Sequence, residues 1–371
     1  MTRWRAGVVA VLLPTAVNLA IVAHGYDGAP YLRGDCPYYY AVAVSLVRDH
    51  DLDLGNQVPP SARNDNVAVS KDGHVVPKHP ILMSIASAPF VAAMGPLGAL
   101  VFNLCQFAAA LWLMFALAQQ VCTPALAAVA VVVTYGASFL PAYAWNYSPD
   151  LFASMLLAAA TVAATIADDG ASLVGGGVLM GLACAAKYPL LLFAPGTLLL
   201  VGHRRGYALT AAWAVGLALP LAGVAWLNLH LFGSIWLTGH DRILTFGADG
   251  LPGVYSQRSS FGDPLVPGMM GQLLDRQHGL LMTSPITILS LIGLLPLARA
   301  RFALGAHLLT SAAALFVFYA GYRLWPASHY GNRFLMPVVV LAVLPLAALL
   351  QAVATKLSGF TSPDPRARTS P

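Results

Sequence analysis

Apolar runs of about twenty residues recur along this 371-residue chain, separated by short polar turns. A bilayer core takes roughly 20 apolar residues per crossing helix. Inside it every backbone N–H and C=O must be satisfied by the chain itself, so such runs can only be helices or closed barrels. Ten runs qualify, at about 6–24, 98–119, 124–143, 150–168, 172–186, 188–203, 207–232, 284–299, 302–322 and 334–354. Composition agrees. Only 9% of the residues are charged, 58% are hydrophobic and the mean hydropathy is +0.70, whereas soluble domains carry about 25% charged residues. A soluble globular domain, a disordered chain and a nucleic-acid binder are all excluded. The first run, about 6–23, has no clear small-residue cleavage site and reads as a retained span.

The net charge of +5 reads as orientation, because cytoplasmic loops of membrane proteins are enriched in Lys and Arg. With ten spans, Arg3 and Arg5, Arg204 and Arg205, Arg299 and Arg301, and the tail with Lys356, Arg366 and Arg368 all fall on one side. The run from Ile81 to Met94 is too short for a span and reads as a helix lying in the outer interface. The opposite face then receives a long first loop (25–97), a turn at 144–149, a turn at Lys187, a loop at 233–283 and a turn at 323–333. The expected fold class is an all-α polytopic membrane protein with about ten transmembrane helices and a long outward first loop bearing interfacial helices. The expected organisation is a membrane module over 1–203, a second over 204–357, and a disordered cytoplasmic tail over 358–371. Gly175-Gly176-Gly177 reads as close helix packing, since it lacks the Lys-Ser/Thr of a phosphate loop.

Glutamate is absent, so carboxylate chemistry rests on fifteen aspartates. Asp35 follows the first span beside Tyr38, Tyr39 and Tyr40. A carboxylate in such a partly dry place can act as a general base; it can also cap the helix that Pro37 begins. Asp150 opens the fourth span, where it either caps the helix or faces an outer site. Asp49, Asp51 and Asp53 alternate as in a calcium loop but lack its closing acid, and read as a solvated turn. Lys78, Lys187, Arg276 and Arg333 stand at outward span ends. Such cations either snorkel to headgroups or converge on a phosphate. The four cysteines form no CxxC or Cys/His cluster, so neither a disulfide framework nor a zinc site is implied.

The order of these motifs resembles the GT-C superfamily of membrane glycosyltransferases. The resemblance is carried by Asp35 with its paired tyrosines, by Pro77-Lys78-His79-Pro80 before the interfacial helix, and by Asp150 opening the fourth span. It is nearest to the aminoarabinose and protein mannosyl transferases, whose Thr-Lys-Gly turn here reads Ala186-Lys187-Tyr188. Asp275–Leu280 with Ser284-Pro285, and the run His329–Phe334, resemble motifs of uncharacterised bacterial members. Two departures stand out. Cys36 follows Asp35 where the mannosyl branch often has Asp-Glu, and no soluble C-terminal domain is expected after the last span.

The resemblance implies an integral protein of a bacterial inner membrane with an extracytoplasmic active site. It implies inverting transfer of a sugar from a polyprenyl-phosphate donor to a hydroxyl of a lipid, glycan or protein. In that reading Asp35 is the base and Asp150 orients the acceptor or stabilises charge on the sugar. Lys78, Lys187 and Arg333 hold the donor phosphate, while Tyr38, Tyr39, His79, Arg276, His329 and Tyr330 bind substrate. Cations at the leaving phosphate make a metal dispensable, while relatives with pyrophosphate donors leave a divalent ion open. The alternatives are a lipid or solute transporter, which predicts inverted repeats and mid-membrane charges, and a glycan-assembly polymerase. No repeat is evident, and His307 is the one ionisable residue deep in a span.

Overall fold

The computed structural model describes residues 2–25, 32–327 and 330–361. Its first helices are α1 (Arg3–Gly25), α2 (Cys36–Arg48), α3 (Leu82–Met94), α4 (Pro96–Ala118), α5 (Pro124–Gly136) and α6 (Leu140–Tyr143). Then come α7 (Pro149–Ile166), α8 (Gly170–Ala186), α9 (Ala194–Arg205), α10 (Tyr207–Phe232), α11 (Leu265–Leu274) and α12 (Leu280–Thr283). The chain closes with α13 (Ile286–Ala300), α14 (Phe302–Ala320), α15 (Met336–Leu341) and α16 (Val343–Thr361).

Among the described residues, six segments are long and apolar enough to cross a membrane: Arg3–Ile21, Pro96–Ala118, Pro149–Ile166, Tyr207–Phe232, Phe302–Ala320 and Arg333–Ser358. The protein is an integral membrane protein. Four of the other expected spans form shorter helices, α5, α8, α9 and α13. Proline explains one of these: Tyr188-Pro189 turns the chain out of α8 into a short 3₁₀ stretch, Tyr188–Phe193, before α9 begins. The 81–94 run is a helix, α3, ended by Gly95 at φ 57°.

Helix packing follows residue size. A Cβ on Gly177 would strike the Trp213 backbone of α10, and one on Gly216 would strike Val174 of α8. The glycine run thus lets α8 and α10 touch backbone to backbone. Exposed leucines, valines and tryptophans such as Leu199, Val215, Trp226 and Leu291 stud the outer surface, where acyl chains replace a protein neighbour.

The all-α expectation missed a small sheet. Strands β1 (Val67–Val69), β2 (Val75–Pro77), β3 (Ile243–Phe246) and β4 (Pro252–Tyr255) pair antiparallel in the order β2-β1-β3-β4. The central pairing, Ala68 with Ile243, joins the 25–97 loop to the 233–283 loop. Both loops therefore sit at one end of the helices. At the other end, Arg3 donates to Gln119 (2.9 Å), Arg301 to the Gln120 carbonyl (2.8 Å), and Arg205 pairs with Asp168.

Candidate functional site

A cavity of about 460 Å³ opens at the end that carries the loops. Its charged lining comes from segments remote in sequence: Asp35, Lys78, Asp150, Lys187, Asp241, Arg258 and Arg333. Each is held by a local device.

Asp35 occupies the N-cap position of α2, whose first turn Pro37 begins, yet its side chain makes no capping bond. The carboxylate instead accepts a hydrogen bond from Arg333 Nη2 at 2.9 Å through Oδ2, while Oδ1 lies 4.0 Å from His79 Nε2. Burial pushes the Asp35 carboxyl up, but the Arg333 guanidinium bonded to it and the nearby Lys78 ammonium outweigh it and hold the group well below the usual carboxylate range. Next to it the Cys36 thiol, pushed up to about 12 by burial and by Asp35, is inert. It donates to Asn146 Oδ1 at 2.8 Å and so ties α2 to the 144–149 turn.

Asp150 is not the cap of α7. Ser148 holds the N-cap position and Asp150 lies in the first turn, buried, with its carboxylate on Lys187 Nζ. Lys187 ends α8 in an extended conformation (φ −152°, ψ 98°). Its ammonium also reaches the Arg333 carbonyl at 3.4 Å and lies 5.0 Å from the Phe334 ring centroid. Arg333 opens a 3₁₀ turn whose N-cap, buried Asn332, accepts from the Phe334 N–H at 3.1 Å. Just before it, Gly331 at φ 68° packs so tightly on Phe139 that a Cβ would overlap the ring.

Lys78 leaves the end of β2 and donates to the Asp65 carbonyl at 2.7 Å. Gly239 sits directly on its backbone, where a Cβ would lie 2.6 Å from Lys78 Cα. That contact brings the 239–241 turn against the Lys78-His79 segment and sets the His240 ring edge-to-face on His79, centroids 5.1 Å apart. Burial lowers both imidazoles below their usual value, His79 strongly, so both are neutral at neutral pH.

The structure thus brings together Asp35, Tyr39, Lys78, His79, Asp150, Lys187 and Arg333 on one cavity. Three expected residues lie elsewhere. The Tyr38 hydroxyl turns away to the Ala62 carbonyl at 2.9 Å. Arg276 is exposed in the turn organised by Asp275, and Tyr330 is half exposed; neither lines the cavity. His329 lies outside the described residues. Sequence reasoning missed His240, Asp241, Gln257 and Arg258, which complete the wall. The cluster Gly239-His240-Asp241-Arg242 was visible in the 233–283 loop, but nothing in the sequence told which residues it meets. Four cations (Lys78, Lys187, Arg258, Arg333) face three carboxylates (Asp35, Asp150, Asp241), with Tyr319, Tyr322, Phe334 and Trp236 between them. Such a wall suits an anion carrying an apolar or sugar group. Among the described residues, no three His, Cys, Asp or Glu side chains gather closely enough to hold a metal ion.

The chain shares its fold with solved GT-C glycosyltransferases. It is similar to ArnT from Cupriavidus metallidurans, solved bound to undecaprenyl phosphate, with a TM-score of 0.55, 14% identity and 94% of this chain covered. It is similar also to the Archaeoglobus fulgidus oligosaccharyltransferase in apo form, with a TM-score of 0.59, 13% identity and 96% covered. A second structure from that archaeon, AglB with an inhibitory peptide and a dolichol-phosphate, gives a TM-score of 0.54 at 13% identity. The chain spans 62% of the length of ArnT and 51% of that of the oligosaccharyltransferase. No family model and no curated protein matches the sequence.

Proposed function

We propose that this protein is an inverting glycosyltransferase that moves a sugar from a polyprenyl-phosphate donor to an acceptor hydroxyl on the extracytoplasmic face of a bacterial inner membrane. One observation carries the reading: two aspartates and three cations from five separate segments meet on one cavity. The GT-C fold supports it, as do neighbours solved with undecaprenyl phosphate and with a dolichol-phosphate. The basic turns at the opposite end support the orientation. The ten-span count and the division at residue 203 belong to the same proposal, with the second module supplying His240 and Arg333.

In this mechanism the donor phosphate sits among Lys78, Lys187 and Arg333. Fixed cations at an oxygen gaining negative charge lower the barrier to its departure. A second, apolar cavity of about 250 Å³, lined by Phe193, Leu308, Phe316 and Leu335, begins one residue beyond Phe334 and suits the polyprenyl chain. Asp35 takes the acceptor proton as the acceptor oxygen attacks the anomeric carbon. Paired with Arg333 the carboxylate is a weak base; a phosphate that engages Arg333 weakens that pair and raises its proton affinity. Donor binding thus strengthens the base. Asp150, held by Lys187 on the same cavity, steadies positive charge on the sugar.

The test is transfer from synthetic polyprenyl-phosphate sugars by the purified protein in lipid vesicles, with and without added divalent ions. Release of polyprenyl phosphate with a new glycoside of inverted configuration is expected. No transfer and no hydrolysis with any such donor would sink the enzyme reading in favour of a transporter.

A further inference from the structure

Every turnover of the proposed reaction leaves a proton behind. The bond from the anomeric carbon to the phosphate oxygen breaks with its electron pair on the phosphate. The acceptor oxygen bonds the same carbon, and the acceptor proton ends on Asp35. Asp35 must lose that proton before it can serve again. Its Oδ2 is occupied by Arg333, so Oδ1 is the free oxygen. The group facing Oδ1 is His79 Nε2, at 4.0 Å. That is too far for a direct hydrogen bond, and is the spacing that one bridging water or a small shift closes.

His79 Nε2 is buried and has no hydrogen-bond partner among the described residues. A buried polar atom left unpaired in a native structure calls for an explanation. Beyond it stands a second imidazole. His240 contacts the His79 ring edge-to-face, and its Nδ1 lies 2.7 Å from Gln257 Oε1. Gln257 bonds Tyr322 in turn and so fixes the His240 ring. Both imidazoles line the cavity, so a proton that reaches His240 can leave to cavity water.

We propose that His79 takes the proton from Asp35 after each transfer and passes it through His240 to solvent. This rests on the glycosyltransferase reading. The groups facing His79 set the direction of flow: Asp35 and Tyr39 from α2, Lys78 beside it, His240 from the 239–241 turn and Arg333 from the turn before α15. Burial, Lys78 and Arg333 disfavour an imidazolium, while Asp35 favours it. His79 therefore waits neutral, takes the proton only while Asp35 holds one, and does not keep it. It acts through Asp35 and is a relay residue, distinct from the base.

The experiment compares single-turnover and steady-state transfer by the wild type and His79→Gln in vesicles. The relay predicts that His79→Gln lowers the steady-state rate by about tenfold or more beyond whatever it costs the first turnover. Added imidazole should restore the steady state, increasingly as its neutral form grows with pH. Wild-type steady-state turnover in His79→Gln overturns the relay. So do an equal loss in both regimes, or a raised KM that imidazole does not rescue, because these place His79 in the chemistry or in packing. If His79→Gln does not fold, His240→Gln must show the same split between regimes, and its absence overturns the relay. A wild type inactive in both regimes with every polyprenyl-phosphate sugar sinks the transferase reading itself, an outcome distinct from all of these.

Discussion

Lys187→Met deletes one half of an ion pair in which Lys187 is 9% and Asp150 5% exposed at the side chain. An exposed pair would contribute 0–1 kcal/mol. Removing one partner of a buried pair instead leaves an uncompensated charge and costs about 3–5 kcal/mol. Lys187→Met is therefore expected to destabilise by about that amount, because Asp150 loses its hydrogen-bonded cation and keeps only the nearby Arg333 guanidinium. Asp150→Asn falls near the lower end, because Lys187 Nζ still reaches the Arg333 carbonyl. A further 0.3–1 kcal/mol or so is lost with the anion in the first turn of α7. Helix capping does not enter, since Ser148 holds that position. The double variant, Asp150→Asn with Lys187→Met, removes both charges and should be more stable than Lys187→Met alone, with a coupling of about 1–3 kcal/mol. Thermal unfolding of the four proteins in one detergent measures the cycle, and donor KM is read alongside. Additive losses, each within about 0.5 kcal/mol, would refute the buried pair. A folded double variant with wild-type donor KM and kcat would refute the phosphate site.

Asp35→Asn keeps the shape beside Arg333 and removes the base; transfer should fall by about 10² or more with the fold intact, and near-normal turnover excludes the assignment. Arg333→Met withdraws the guanidinium that keeps Asp35 acidic, so the acid limb of the kcat/KM profile should move to higher pH while donor KM rises; an unmoved limb argues against the pair. The pH dependence of stability has one sign for both lowered groups, because the unfolded chain binds more protons. The contribution of His79 is full above its ordinary value of about 6.5 and fades below it, and that of Asp35 is full above about 3.9 and is lost further down. Melting temperature should thus hold from pH 8 to 7 and decline below about 6.5, with His79→Gln flattening the first part of the decline. Gly331→Ala forces a left-handed conformation costing about 1–2 kcal/mol on a residue with a Cβ and drives that Cβ into Phe139. Stability and transfer should fall together, and a fully active variant would show that this turn does not position Arg333.

The membrane body was legible because hydropathy is a local property. Runs of apolar residues must become helices wherever no water satisfies the backbone, and Arg3, Arg204 and Arg301 marked one end without any knowledge of packing. The glycine run 175–177 likewise announced a close helix contact, since small side chains act wherever they occur. Local chemistry also put Asp35, Lys78, Asp150, Lys187 and Arg333 at the outward ends of helices. It could not say which of them meet. Pairing of Arg333 with Asp35 spans 298 residues, and that of Lys187 with Asp150 spans 37. The sheet escaped notice because three- and four-residue strands carry almost no periodic signal, and Ala68 finds Ile243 only across the whole fold. With that pairing came His240, Asp241 and Arg258. Tyr38 shows the reverse: its place in the motif pointed to the cavity, but one helical step from Tyr39 turns its ring to Ala62. Which residues are apolar is written along the chain, and it determined the helices and their membrane. Which charges share a cavity depends on contacts between segments hundreds of residues apart, and only the folded structure decides that.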